Sequence, residues 1–222
     1  MTASVCKFLR TLFGAIALAA AGASTHADTA PLSPPEVIRE SVEGLRGALQ
    51  AGDSSRVTQP DFVIPLIRRH VMPNLDVPLA TRLILGEHWK SASIAQRAAF
   101  EAAFTDALLR TYATHAVMYL DARVEVLASE PVDADGDVVR VRTEVTSAAR
   151  PPAQVDYRMV RRHDGWKAFD AAVDGISLVK TYRAALREDI RRTGLDAVIA
   201  NMRAAASPLA ASRSGSEPVS QE

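Results

Sequence analysis

The chain has 222 residues, with 26 lysines and arginines balanced by 26 aspartates and glutamates, and one cysteine, Cys6. Balanced charge gives no support to bulk nucleic-acid binding. A lone cysteine excludes a fold stapled by internal disulfides, so the 48% hydrophobic residues must supply the core.

Met1 to Arg10 carries Lys7 and Arg10 and no acid, Leu12 to Ala23 is almost wholly apolar, and Thr25 and Ala27 precede Asp28. This pattern predicts a secretory signal peptide over 1–27. The apolar run is shorter than the ~20 residues a spanning helix needs, and Cys6 precedes it, where a lipid-anchored cysteine would follow. Cleavage leaves about 195 residues, slightly acidic and without cysteine, the size of one ordinary domain. The expectation is an exported, soluble, monomeric domain over 28–206, with helices at about 34–120, a sheet at about 122–174 and C-terminal helices at about 176–206. Residues 207–222 lack apolar periodicity and are expected to be a disordered tail.

After Pro31, Pro34 and Pro35, Glu36 to Ala51 reads as a helix with Val37, Val42, Leu45 and Leu49 on one face. Phe62 to Val71 reads as a short or kinked helix around Pro65. Asp76 and Pro78 open another helix, Leu79 to Leu85, which Gly86 stops. Ser93 and Gln96 form a capping box for the longest helix, expected to reach Met118 or Leu120; Phe100, Phe104, Leu108 and Tyr112 recur on it every four residues.

From Arg123 the period changes to two. Val124 and Val126, then Val139, Val141, Thr143 and Val145, then Val155, Tyr157 and Met159 alternate with mostly polar neighbours, and Gly165 to Val173 supplies a fourth strand. The connections, Pro131 to Gly136, Ala148 to Pro152 and His163 to Gly165, are short, which favours an antiparallel meander. Helices Ile176 to Arg192 and Leu195 to Ala206 follow. The predicted class is α+β, a curved four-stranded antiparallel sheet packed with helices on one face around an apolar cavity. The stretch Gly165 to Arg183 concentrates Trp166, Phe169 and Tyr182 and is read as a wall of that cavity.

Catalytic and metal patterns are weak. His70, His88, His115 and His163 show no paired-ligand spacing. Asp133 to Asp137 resembles a calcium loop only superficially, because its glycine is misplaced, and reads better as a hairpin turn. No serine elbow or phosphate-cradling loop is present. Strand alternation turns Asp156 away from Tyr157. No catalytic residue, metal or cofactor is expected.

Several blocks occur in a telling order: Arg82-Leu83-Ile84-Leu85-Gly86-Glu87-His88-Trp89, Gln96 to Phe100, Arg110-Thr111-Tyr112, Val124 to Leu127, Val155 to Arg158, Gly165-Trp166-Lys167 through Val179, Tyr182-Arg183, and Gly194-Leu195-Asp196. Together they resemble the MlaC-type periplasmic phospholipid-binding proteins, also called the toluene-tolerance auxiliary family, over about Pro34 to Ala204. The departures are Val63 to Asn74, with two prolines, and Pro151-Pro152. The resemblance implies a twisted four-stranded antiparallel sheet packed with helices, plus a helical subdomain, and a non-enzymatic shuttle in the Gram-negative periplasm, auxiliary to an ABC transporter, with a bound glycerophospholipid as cargo. It would exchange lipid between an outer-membrane lipoprotein–porin complex and an inner-membrane MCE-domain ABC transporter, maintaining outer-membrane asymmetry.

Face and size nominate the lipid-contacting residues. They are Phe100, Phe104, Leu108 and Tyr112 on the long helix; Val139, Val141, Val155, Tyr157 and Met159 on the sheet; and Phe169, Val173, Ile176 and Val179 at the closing end. Ordinary core packing is the competing reading for each. Arg82, Arg158 and Arg183 are candidates to meet a phosphate, with solvated surface arginine as the alternative. The competing functions are a cone-shaped NTF2-like isomerase or hydrolase acting on a small hydrophobic substrate, which needs a buried carboxylate converging with a tyrosine hydroxyl, and an interaction-only helper without a cavity.

Overall fold

The computed structural model describes residues 31–53, 55–113, 121–147 and 150–205. The expected signal peptide, the expected tail, His115 and the expected last turns of the long helix lie outside the described residues. The class is α+β, with five antiparallel strands in the order β1-β2-β3-β4-β5 and helices before and after them.

The first helix, α1, spans Pro34–Ala51, and α2 spans Pro60–His70 with Pro65 inside it. Pro65 removes one backbone hydrogen bond from α2. The two helices pack closely at Gly44, where an added Cβ would sit 2.7 Å from His70 Nδ1. A 3-10 turn, Met72–Asn74, leads to α3, Val77–Leu85, whose first turn is capped by the Asp76 carboxylate accepting from Leu79 N–H at 2.9 Å. The short α4, His88–Ser91, precedes α5, Ile94–Ala113, where the expected Ser93–Gln96 capping box is formed in both directions.

Strand β1 is Arg123–Pro131, β2 Val138–Ser147, β3 Arg150–Arg162 and β4 Gly165–Val173. The Asp133 loop is a hairpin turn: Val132 N–H donates to Val138 C=O at 2.8 Å, and Asp133 accepts from Val138 N–H. Two boundaries differ from expectation. Pro151 and Pro152, expected in a connection, belong to β3, at the register shift between the pairs Val145–Ala153 and Ser147–Arg150. A bulge is one of the places where a residue without an N–H fits a strand.

The second difference is at Asp174-Gly175, where both residues have positive φ (48° and 82°). That is the primed two-residue hairpin turn for which glycine is suited. It folds Ile176–Ser177 back on β4 as a fifth strand, β5, instead of opening a helix. The following helix, α6, therefore begins two residues later and spans Leu178–Thr193, and α7 spans Leu195–Ala205.

The sheet and the helices share the apolar residues in three clusters. Val37 and Ile38 of α1 pack on Val139, Val141, Met159, Trp166 and Ala168 of the sheet. A second cluster joins α3, α5, α6 and α7 around Ile84, Phe100, Phe104, Val179 and Ile190. A third ties α1 to α2 and the end of α5. Each fully buried side chain of this size contributes about 1.5–3 kcal/mol.

Asp76 is only 7% exposed and serves three neighbours: its N–H donates to Ala168 C=O at 2.8 Å, one oxygen caps α3, and the other accepts from Arg162 at 2.6 Å. Asp76→Ala is expected to lower unfolding free energy by about 2–3 kcal/mol, from cap and ion-pair loss combined, seen as a lower urea midpoint at unchanged slope. At α1, hydrogen bonds from the Ser33 hydroxyl and then the Ser33 N–H hold the Glu36 carboxyl below its ordinary value of 4.5. A depressed folded pKa contributes stability above the unfolded value and loses it as pH falls through the folded one. The Ser33 amide shift should therefore titrate with a midpoint below 4.5; a midpoint at or above that value would contradict the capping bond.

Candidate functional site

A cavity of about 280 Å³ lies between α3, α5, α6 and the outer part of β4. Its walls come from four directions. The α2 end, the turn after it and α3 give Ile67, Val71, Met72, Leu75, Val77, Ala80 and Ile84; α5 gives Phe104, Thr105, Leu108, Leu109 and Tyr112; α6 gives Leu178, Val179 and Tyr182; and the sheet gives Tyr157, Ala168, Phe169 and Ala171. The ring of Tyr182 meets Phe104 edge-on, with centroids 5.1 Å apart, and Phe104 stacks on Phe100 at 5.7 Å.

The sheet reaches the cavity through a bulge. Met159 pairs with Ala168 and Arg158 with Asp170, so Phe169 is an extra residue in β4. Consecutive residues normally point to opposite faces, but a bulge re-aims them, and Ala168 and Phe169 both line the cavity.

Two carboxylates, Asp76 and Asp170, also border it, and their oxygens are engaged. Asp76 caps α3 and pairs with Arg162. Asp170, 8% exposed, accepts from the Ser177 hydroxyl at 2.6 Å and from Val179 N–H at 3.1 Å, at the start of α6. A carboxylate at a helix N-terminus is stabilised by the helix dipole. Both acids thus fasten helices, and apart from Thr105 the remaining wall is aliphatic, methionine and aromatic side chains.

The nominated residues divide between this cavity and other places. Phe104, Leu108, Tyr112, Tyr157, Phe169 and Val179 line it. Phe100 is fully buried in the helical cluster behind Phe104. Val139, Val141 and Met159 are packed under α1. Val155 is half-buried and pairs with Thr143 and Val173; Val173 is exposed, and Ile176 is 66% exposed. The hairpin turn accounts for Ile176: paired on a terminal strand, it does not lie on the helix face that the spacing implied.

Sequence reasoning passed over Ile67, Val71 and Leu75, which recur every four residues, because Pro65 and Pro73 interrupt the pattern. Tyr182, expected in the cavity wall, lies there, joined by Leu178 one helical turn before it on α6, which was not nominated. Of the arginines considered for a phosphate, Arg158 lies over the Phe169 ring at 5.0 Å and Arg183 donates to Leu83 C=O. Arg82 is exposed.

The comparisons agree with this architecture. The chain resembles the intermembrane phospholipid transport system binding protein MlaC of Haemophilus influenzae, with 23% identity over 186 residues, covering 82% of this chain and 86% of that protein. It is also similar in structure to a phospholipid-binding protein from Ralstonia solanacearum solved in complex with a phospholipid, with a TM-score of 0.70 and 23% identity over 78% of this chain and 97% of that one. At that identity the likeness is one of fold. The MlaC protein family profile matches residues 39–204, three quarters of the sequence, and the chain therefore belongs to the MlaC protein family.

Proposed function

We propose that this chain is a soluble, non-enzymatic carrier that holds the acyl tails of a glycerophospholipid in the cavity between α3, α5, α6 and β4. The observation that carries the reading is the chemistry of the wall, an apolar enclosure whose two bordering acids spend their oxygens on helix N-termini and, at Asp76, on Arg162. A hydrolase or isomerase would need a carboxylate free to exchange protons with its substrate. The phospholipid named in the descriptions of the Haemophilus and Ralstonia proteins supports the same cargo. No helix among the described residues is long and apolar enough to cross a membrane, as a diffusing carrier requires.

The proposal extends to its place of work. The leader expected at 1–27 would export the chain to the Gram-negative periplasm. There it would exchange lipid between an outer-membrane lipoprotein–porin complex and an inner-membrane MCE-domain ABC transporter, helping to keep the outer membrane asymmetric. Burying one methylene is worth about 0.8 kcal/mol, so two tails with roughly 30 methylenes gain about 25 kcal/mol gross on leaving water. A bilayer offers nearly the same gain, so transfer between membrane and carrier is close to balance and needs no chemistry from the carrier. At about 280 Å³, the cavity is at the lower edge of the ~300–1,000 Å³ typical of ligand sites. Accepting both tails therefore requires its helical walls to part.

Mass spectrometry of organic extracts from the purified chain should find bound phospholipid. Leu108→Glu, placing a charge in the wall, should lower that content at least about tenfold, since a buried unpaired charge is costly, while Ile176→Glu leaves it unchanged. A folded Leu108→Glu variant with undiminished lipid, or a wild-type chain without any, would overturn the reading. Stripping lipid with detergent should lower the thermal midpoint, because cargo that binds only the folded state stabilises it; an unchanged midpoint would count against cargo filling the cavity.

A further inference from the structure

A second cavity, of about 200 Å³, lies at the junction of α3, α4 and α6, lined by Leu85, Gly86, Glu87, His88, Arg183 and Arg187. It is chemically unlike the first. Ile84 and Tyr182 line the apolar cavity, whereas their chain neighbours Leu85 and Arg183 line this one. The two spaces thus share helices α3 and α6 as walls, and the second is charged.

Arg183 and Arg187 are one turn apart on α6, so their side chains are neighbours on one helix face. Arg183 Nε donates to Leu83 C=O and Arg187 Nε pairs with Glu87 at 2.9 Å, leaving their terminal amino groups without a protein acceptor among the described residues. His88 Nε2 is buried with no hydrogen-bond partner among the described residues; the nearest acid oxygen, on Glu87, is 4.0 Å away and already held by Arg187. A buried polar nitrogen without a partner costs about 1–3 kcal/mol, so its place beside two guanidinium groups calls for an acceptor. Gly86, with φ 55°, adds no side chain to the cavity wall.

We propose that Arg183, Arg187 and His88 form a binding site for a phosphate group, separate from the tail cavity. Two guanidinium forks opposed by a single carboxylate leave net positive charge, and their donor geometry matches the oxygens of a phosphate. With its proton on Nε2, the His88 imidazole supplies a further donor. Glu87 competes with the phosphate for Arg187. The phosphate arrives from outside the carrier, either as a free ion or as the headgroup of a lipid in a bilayer surface.

The test is a titration of the ¹⁵N-labelled full chain with inorganic phosphate at constant ionic strength, following the His88 imidazole and the arginine Nε signals. Saturable shifts are expected. Arg187→Gln should weaken binding about tenfold, the loss of one charge-assisted contact. Glu87→Gln should tighten it about three- to tenfold by removing the competing acid, an effect that a purely structural role for these residues would not produce. Co-sedimentation with phosphatidylglycerol vesicles that falls in parallel for Arg187→Gln would identify a headgroup as the source; saturable phosphate binding without vesicle binding would identify the free ion. Linear, unsaturable shifts, or equal affinity in wild type and both variants, would overturn the site. Bound lipid measured in both variants should stay at the wild-type level, so failure here is distinct from failure of the carrier reading.

Discussion

Two of the three helices that wall the cavity, α3 and α6, are anchored to one short stretch of β4, at Ala168 and Asp170. Asp76, at the start of α3, donates its N–H to Ala168 and caps its own helix, while Asp170 reaches out of the strand to cap α6. Between them the bulge residue Phe169 faces the space that those helices enclose. Helix N-termini carry unpaired N–H groups that must find acceptors, and two buried carboxylates meet that need at one site on the sheet. The starts of α3 and α6 are thereby fixed on the sheet, and further along Arg183 of α6 donates to Leu83 C=O of α3.

That arrangement explains why one part of the molecule is solid and another hollow. Under α1, Val37 and Ile38 reach Val141 and Met159, both fully buried, and the layer is closed. Between α3, α5 and α6 the space stays open beside the anchored starts of α3 and α6 and the buried Phe104 ring that meets Tyr182. A closed void costs roughly 24 cal/mol per Å³, so keeping about 280 Å³ open would cost up to about 7 kcal/mol if it were sealed and empty. A chain that tolerates such a cost gains most from a ligand that fills the space, and a hydrocarbon tail is the ligand that makes no demand for hydrogen bonds.

Local signals carried much of this. The Ser93–Gln96 cap, the four-residue recurrence of Phe100, Phe104, Leu108 and Tyr112, and the period-two runs through Val141 and Tyr157 each depend on neighbours close in sequence, and the α+β class follows from their order. Less legible was anything resting on a register. The extra residue Phe169 has no mark in the sequence, yet the bulge brings it beside Ala168 at the cavity wall. Asp174-Gly175 was legible as a turn, but a two-residue primed hairpin returns the chain to the sheet, and that moved Ile176 from a helix face to an exposed strand. Val139, Val141 and Met159 have the size and alternation of wall residues; only the position of α1 shows that they face packed side chains. Ile67, Val71 and Leu75 keep a four-residue spacing, but around Pro65 and Pro73 the segment read only as a short or kinked helix, with nothing to place it on the cavity wall.

Hydrocarbon lying in the space bounded by β4 and helices α3, α5 and α6 can be observed by loading the chain with phospholipid carrying ¹³C-labelled acyl tails and recording isotope-filtered nuclear Overhauser contacts to protein methyl and ring protons. The account predicts contacts from the tail methylenes to Ile84, Leu108, Leu178 and Tyr182 and none to Val141. Contacts that appear at Val141 and Val139 while the first group stays silent would contradict it.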